Sequence, residues 1–145
     1  MLQLKTTGIK EFIYPKESGV AEECQTDEWI ARYYKEFQFG EMKPKIKEGE
    51  DVTRFMIKGL SAQVYDRVKE LLDRGETVQM EKLCVQYGCV EVKNFIINGV
   101  LADSRLVDGL YGKSLPSEIV DAMGFFSALR TRIALLIMEI TKSEV

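Results

Sequence analysis

The chain of 145 residues carries 20 lysines and arginines against 23 aspartates and glutamates, and it contains no histidine. This length suits one domain with a sizeable core, so we expect residues 1–145 to form a single domain. The net charge of −3 argues against a general binder of nucleic acid or anionic membranes, which would carry a clustered basic excess. Without histidine, nucleophile pairs, metal ligands and pH switches based on imidazole are excluded.

Two short strands are predicted in the first half of the chain. Residues 9–14 form a β-branched and aromatic run that ends at Pro15, which is typical of a strand. Residues 52–58 alternate between apolar and polar side chains and predict the second strand. Before it, residues 38–50 contain two glycines and a proline among lysines and glutamates, which indicates a flexible loop.

A helix is predicted over residues 26–37 (TDEWIARYYKEF), although alternation within this segment also fits a strand. Its first residue, Thr26, is suited to cap a helix, and its apolar side chains recur at helical spacing. Trp29, Tyr33 and Phe37 belong either to the core or to an exposed aromatic contact surface. We therefore include these three residues among the candidates for a partner interface.

Two further helices are expected after the second strand. Ser61 would cap the first, and Thr77 would open the second, which runs to Gly88. Residues 90–97 are short and apolar and fit either a strand or a buried loop. Residues 98–113 contain three glycines and suggest an irregular arm or a short helix.

The strongest helical pattern covers residues about 117–141 and predicts one long, strongly apolar helix. Its apolar face is wide, so this helix is either the central core helix or partly an interface between subunits. The candidate interface residues on it are Phe126, Leu129, Arg130, Ile133, Leu136, Ile137 and Ile140. Together these elements predict an α+β, mainly α fold with one or two N-terminal strands and about four helices.

No arrangement of residues points to catalysis. The segment DGLYGKS (residues 108–114) ends like a phosphate-binding loop, but its first glycine lies too close to the second. Paired carboxylates occur only in polar segments typical of a solvated surface. We therefore expect no enzyme, no catalytic residues and no cofactor.

The cysteines and the chain termini bear on the compartment. Cys24, Cys84 and Cys89 cannot all pair, and cysteine in apolar segments packs as a small hydrophobe. Because histidine and a second cysteine pair are lacking, no metal site is expected. The N-terminus lacks the apolar core of a signal peptide, and no stretch approaches the ~20 apolar residues that cross a bilayer. These features indicate a reducing cytoplasm and no membrane contact.

Three segments, taken in order, carry a resemblance to a known group of proteins. They are IKEFIYPKES, then DVTRFMIKGLSAQVYDRV, then VQYGCVEVKNF followed by LPSEIVDAMGFFSALRTRI. This order resembles small proteins encoded among the tail-morphogenesis genes of tailed bacteriophages. It is most similar to the tail-assembly chaperones of long-tailed phages, over about half the chain.

The resemblance implies a non-enzymatic, helix-rich protein that oligomerises with itself. It would bind the tape-measure protein in the host cytoplasm and keep it soluble during virion assembly. Two alternatives stay open: a permanent structural component of the viral head or tail, present in the virion, and a small nucleic-acid-associated regulator. The regulator would use the helix pair over residues 61–88 as a helix-turn-helix, yet its second helix offers only one basic residue, Lys82.

Overall fold

The computed structural model describes residues 8–40 and 42–143, and it confirms an α+β fold. Within these residues the chain forms five α-helices and several short antiparallel strands. In chain order these are β1 (Lys10–Phe12), α1 (Asp27–Glu36), β2 (Arg54–Ile57), α2 (Ala62–Asp73), α3 (Thr77–Gly88), β3 (Cys89–Lys93), β4 (Ile96–Ile97), β5 (Val100–Leu101), β6 (Val107–Gly109), β7 (Gly112–Ser114), α4 (Ser117–Met123) and α5 (Leu129–Ser143). Two 3-10 turns, Glu22–Cys24 and Phe37–Phe39, flank α1.

The two predicted N-terminal strands are confirmed as β1 and β2 of an antiparallel sheet ordered β1-β2-β3. Phe12 pairs with Phe55, and Phe55 pairs with Val92, so these three side chains lie on one face of the sheet. All three are buried. The alternation of apolar and polar residues in β2 arises because one face of the sheet is packed against the core.

The aromatic segment is a helix, α1, which Thr26 caps by accepting a hydrogen bond from the Trp29 N–H at 3.2 Å. Its aromatic face packs on β1. The Phe12 ring centroid lies 5.8 Å from that of Tyr33 and 5.7 Å from that of Phe37. Burying these rings against the sheet explains why the segment became an amphipathic helix and not a fourth strand.

The rest of the core is formed by α2, α3 and the C-terminal helix α5. α3 and α5 pack closely together at Gly88, which is buried. A Cβ atom at Gly88 would lie 2.5 Å from Cγ2 and 2.6 Å from Cδ1 of Ile137. The hydrogen of glycine is therefore what allows the two helices to pack at this distance.

The predicted long helix over residues 117–141 is corrected, because the structure divides it into α4 and α5. The α-helix is interrupted at residues 124–128, which we call the elbow, and Ala128 adopts a left-handed conformation with φ 58°. Arg130 lies against Gly124 and donates a hydrogen bond from Nη1 to the Val120 carbonyl at 3.3 Å. The Tyr14 hydroxyl donates to the carbonyl of elbow residue Ser127 at 2.7 Å. These tertiary contacts hold the turn and override the local helical periodicity, which raises the helix number to five.

The segment that the sequence left open contains strands. Residues 89–97 form β3 and β4, and two small hairpins, β4–β5 and β6–β7, replace the irregular arm or short helix predicted over residues 98–113. Asn98 and Gly99 form the first turn with φ values of 51° and 79°. Positive φ at both central residues is what a tight hairpin turn requires, and asparagine and glycine adopt it most readily.

The loop over residues 38–50 is tied to an earlier segment within its described part. The Ala21 N–H donates to the Lys45 carbonyl at 2.8 Å, and the Lys47 N–H donates to the Gly19 carbonyl at 2.9 Å. Val20 and Ile46, which form a bridge here, pack in a second small apolar cluster. The flexibility of this loop stays a prediction, as does the single-domain organisation.

Candidate functional site

A groove of about 420 Å³ opens between the β2–β3 end of the sheet, the β4 strand and the elbow. We call it the Phe126 groove. Its lining residues come from four separate parts of the chain. They are Tyr14, Lys16, Glu17, Thr53, Phe55, Asn94, Phe95, Ile96, Phe126 and Leu129.

One wall of the Phe126 groove is apolar and continuous with the core. The Phe95 ring lies 6.1 Å from that of Phe55 and 5.9 Å from that of Phe126, measured between centroids. Phe55, Phe95 and Leu129 are buried, whereas Phe126 keeps 47% of its surface exposed and Ile96 keeps 63%. The wall therefore rises from a fixed aromatic base to an accessible apolar rim.

The opposite wall is polar and held by a chain of hydrogen bonds. The Glu17 carboxylate accepts from the Thr53 N–H, with its two oxygens at 3.0 and 3.2 Å. The Thr53 hydroxyl donates to the Asn94 carbonyl at 2.8 Å, and the Asn94 amide donates to Asp51 at 3.0 Å. Asn94 has a positive φ of 57°, which asparagine tolerates better than most residues. This network joins three loops and fixes the polar wall.

Further apolar surface lies beside the groove on the β4–β5 hairpin. Ile96 and Leu101 are register partners and therefore share one side of the hairpin. Leu101 and Val100 are 63% and 68% exposed. An isolated two-stranded hairpin is marginally stable in water, so solvent-exposed apolar side chains on it have no evident structural purpose. This combination is typical of a surface that is covered by another molecule.

Charge in the polar wall makes the stability of the fold depend on pH. Burial raises the pKa of the Glu17 carboxyl, and the neighbouring Asp51 also raises it, while the Thr53 N–H and Arg54 lower it. Because the pKa in the folded state lies above that in the unfolded state, the fold binds the proton more tightly. Stability from Glu17 is thus complete below its unfolded pKa of about 4.3 and is lost as the pH rises through the folded pKa.

Replacing Glu17 with glutamine is therefore expected to raise the thermal unfolding midpoint at pH 7 and to leave it nearly unchanged at pH 4. Glutamine retains an oxygen that can accept the Thr53 N–H but removes the charge. Thermal unfolding followed by circular dichroism at both pH values measures the effect. Glu48→Gln, at an exposed position, is the matched control. An E17Q protein whose pH profile matches that of the wild type would contradict the argument.

The structure places most of the ten candidate interface residues inside the chain. Seven of them are buried: Tyr33, Phe37, Leu129, Ile133, Leu136, Ile137 and Ile140. The last five cover α5, which packs against α3, and the first two pack on Phe12. Their apolar periodicity is therefore explained by the core, and of these seven side chains only Leu129 reaches the lining of the Phe126 groove.

The other three candidates are at least partly accessible. Trp29 is half-buried, and its ring stacks on Tyr33 with 5.2 Å between centroids. Arg130 is mostly buried beside Glu81, with 3.7 Å between Nε and the carboxylate. Glu81 also accepts a hydrogen bond from the Thr131 hydroxyl at 3.0 Å, so Arg130 fixes α5 against α3. Phe126 lines the groove, as does the buried candidate Leu129.

The groove residues that the sequence did not single out include Glu17, Asn94 and Ile96. They come from loops and a two-residue strand, which carry no periodic pattern. The Asn94 position has one usable signal, since asparagine followed by apolar residues after a strand is typical of a turn. Nothing local relates Glu17 to Asn94, which the fold brings together through Thr53.

The described residues contain no group of three or more histidine, cysteine, aspartate or glutamate side chains that could hold a metal ion. All three cysteines are free and buried. Over residues 8–40 and 42–143, none of the helices has the length and apolar character needed to cross a bilayer.

Comparison with known proteins adds no relative. No protein-family model matches the chain, and neither the curated proteins nor the solved structures contain a significant match.

Proposed function

We propose that the protein is not an enzyme and acts by binding another protein at the Phe126 groove. The observation that supports this proposal is the exposed apolar rim, in which Ile96 and Phe126 lie beside the buried aromatic residues Phe55 and Phe95. Apolar surface of this kind rimmed by polar groups marks protein interaction sites. The groove offers a partner both an apolar base and fixed polar groups at Glu17 and Asn94.

The specific form of the proposal rests on the resemblance of three segments to phage tail-assembly chaperones. In that form the protein associates with itself and binds the tape-measure protein in the host cytoplasm during virion assembly. An amphipathic helix that lays its apolar face in a groove would suit the Phe126 groove, because such a helix presents side chains at regular spacing to an apolar wall. No membrane or nucleic acid takes part in this proposal.

The alternative within the same class is a permanent head or tail component of the virion. The exposed apolar residues outside the Phe126 groove favour it, and among them Leu110 at the β6–β7 turn is 86% exposed. A component held between two neighbours needs two contact surfaces. The regulator of nucleic acid is not favoured, because the single lysine of α3, Lys82, lies 3.2 Å from Asp121.

The test uses the full chain and a purified fragment of the tape-measure protein encoded in the same genome. Ile96→Asp places a charge on the exposed apolar rim and is expected to weaken binding at least tenfold, because burying an isoleucine contributes about 1.5–3 kcal/mol. Leu110→Asp, an equally exposed apolar position outside the groove, is the matched control and should change the affinity less than twofold. Isothermal titration calorimetry measures both affinities.

Three results would count against parts of this proposal. Self-assembly of the wild type with no affinity for the fragment would overturn the chaperone form and favour the permanent component. Equal loss of affinity in both variants would remove the Phe126 groove as the binding site. A substrate turned over by the purified protein would overturn the non-enzymatic class.

A further inference from the structure

We propose that α5 can exchange between two copies of this chain, forming a dimer in which α4, the elbow and α5 become one continuous helix. The partner is thus a second copy, and the interface is the core-facing side of α5 itself. This inference does not depend on the proposed function.

The elbow is almost helical already. The N–H groups of Gly124, Phe125 and Phe126 donate to carbonyls three residues earlier at 3.1, 3.1 and 3.2 Å. The apolar periodicity also continues through the elbow, with Ala122, Phe126 and Leu129 spaced four and three residues apart. Continuing the helix therefore requires little change in the conformation of residues 124–126.

One elbow residue stores backbone strain that favours this change. Ala128 has a φ of 58°, in the left-handed region where the side chain of an L-residue meets the following carbonyl oxygen. The described residues with positive φ otherwise include only asparagines and glycines, which accept that conformation more readily. Straightening the elbow would bring Ala128, the best helix former, into a helix and relieve the strain.

Exchange would also preserve the packing of α5. The helix is the last described element of the chain, and its buried side chains contact α3 and α4. A second copy offers an identical site, so the contacts of Ile133, Leu136 and Ile137 are regained in the dimer. Domain exchange costs little for this reason, and short strained hinges favour it.

Two aromatic side chains of the elbow are exposed to solvent in the monomer. Phe125 is 91% exposed and Phe126 is 47% exposed. In an exchanged dimer the two continuous helices pass each other at the elbows, around the two-fold axis. The Phe125 side chains of both copies then meet there, and their burial favours the dimer.

Two hydrogen bonds stabilise the bent form of the elbow. The Tyr14 hydroxyl donates to the Ser127 carbonyl at 2.7 Å, and Arg130 donates to the Val120 carbonyl at 3.3 Å. In a continuous helix the Ser127 carbonyl would instead accept an N–H from within the helix. Loss of the Tyr14 hydroxyl should therefore shift the balance toward exchange.

The experiment refolds the full chain from denaturant at high and low protein concentration and measures mass by size-exclusion chromatography with light scattering. Wild type is expected to give a dimer after refolding at high concentration, and this dimer should persist on dilution because exchange requires unfolding. Ala128→Gly relieves the strain in the bent elbow, which favours the monomer about tenfold per chain. Glycine also disfavours the continuous helix about fivefold per chain. The dimer contains two elbows, so its dissociation constant should rise roughly a thousandfold or more.

Two further variants complete the test. Ala31→Gly, at an exposed position inside α1, weakens a helix to a similar degree and should leave the dimer fraction unchanged. Tyr14→Phe removes one hydrogen bond from the bent form of each chain. This loss should shift the equilibrium of each chain about fivefold toward the exchanged form and so raise the dimer fraction. Wild type that refolds only to monomer at every concentration would overturn the proposal. A dimer that is equally stable with Ala128→Gly would also overturn it and would indicate an ordinary surface contact.

Discussion

Replacing Phe12 with alanine is expected to lower the free energy of unfolding by about 3–5 kcal/mol. Phe12 is fully buried, and its ring centroid lies within 6.3 Å of those of Tyr33, Tyr34, Phe37 and Phe55. The variant loses the transfer energy of the ring and leaves a cavity whose walls come from both α1 and the sheet. Because domains of this size are stable by only about 5–15 kcal/mol, much of the fold's stability would be lost.

Urea denaturation followed by circular dichroism measures this loss. The control is Phe125→Ala, which removes the same side chain from a position that is 91% exposed. That variant should change the free energy of unfolding of the monomer by less than about 0.5 kcal/mol. Equal effects for the two variants would mean that the aromatic cluster on α1 does not form the core and would restore its interpretation as a contact surface.

The second large effect is expected at Gly88, where alanine should cost about 1–3 kcal/mol through overpacking. The new methyl group would lie 2.5 Å from the Ile137 side chain, which is fully buried, so that side chain or its helix has to shift. Gly8→Ala is the control, because no atom lies within 4 Å of a Cβ at that position. Denaturant unfolding of both variants gives the comparison.

A double mutant separates overpacking from a general effect on the helix. Ile137→Ala alone should destabilise the protein by about 2–5 kcal/mol through the cavity that it leaves. In that background Gly88→Ala should be neutral or stabilising, because its methyl group enters the emptied space. If Gly88→Ala costs the same in both backgrounds, the close approach of α3 and α5 at this point is not the cause.

The parts of the fold that the sequence predicted correctly are those with local causes. The start of α1 follows from the hydroxyl of Thr26, and the start of α2 follows from Ser61, which accepts the Val64 N–H at 3.4 Å. Both are interactions across three residues. The first strand likewise ends just before a proline, with β1 ending at Phe12 and the proline at position 15. Such signals act within one turn of chain and are present in the sequence whatever the tertiary structure.

The elbow could not be predicted, because the groups that hold it are distant in sequence. Tyr14 and Ser127 are separated by 113 residues, and only the folded sheet brings them together. The same limit applies to the Phe126 groove. Phe126 was a candidate because of its place in an apolar stripe, but Ile96 and Glu17 reach the groove through tertiary structure alone.

Two buried cysteines, Cys84 and Cys89, allow the opening of the core to be measured by their chemical reactivity. The Cys84 thiol donates to the Ala134 carbonyl of α5 at 3.4 Å, and burial raises its pKa far above the usual range. Burial likewise raises the pKa of Cys89 to about 12. Since the thiolate is the reactive form, an alkylating reagent reacts at these positions only in molecules whose core has opened. The rate of alkylation at Cys84 therefore measures how often α5 separates from α3, and no cysteine has to be introduced for this measurement.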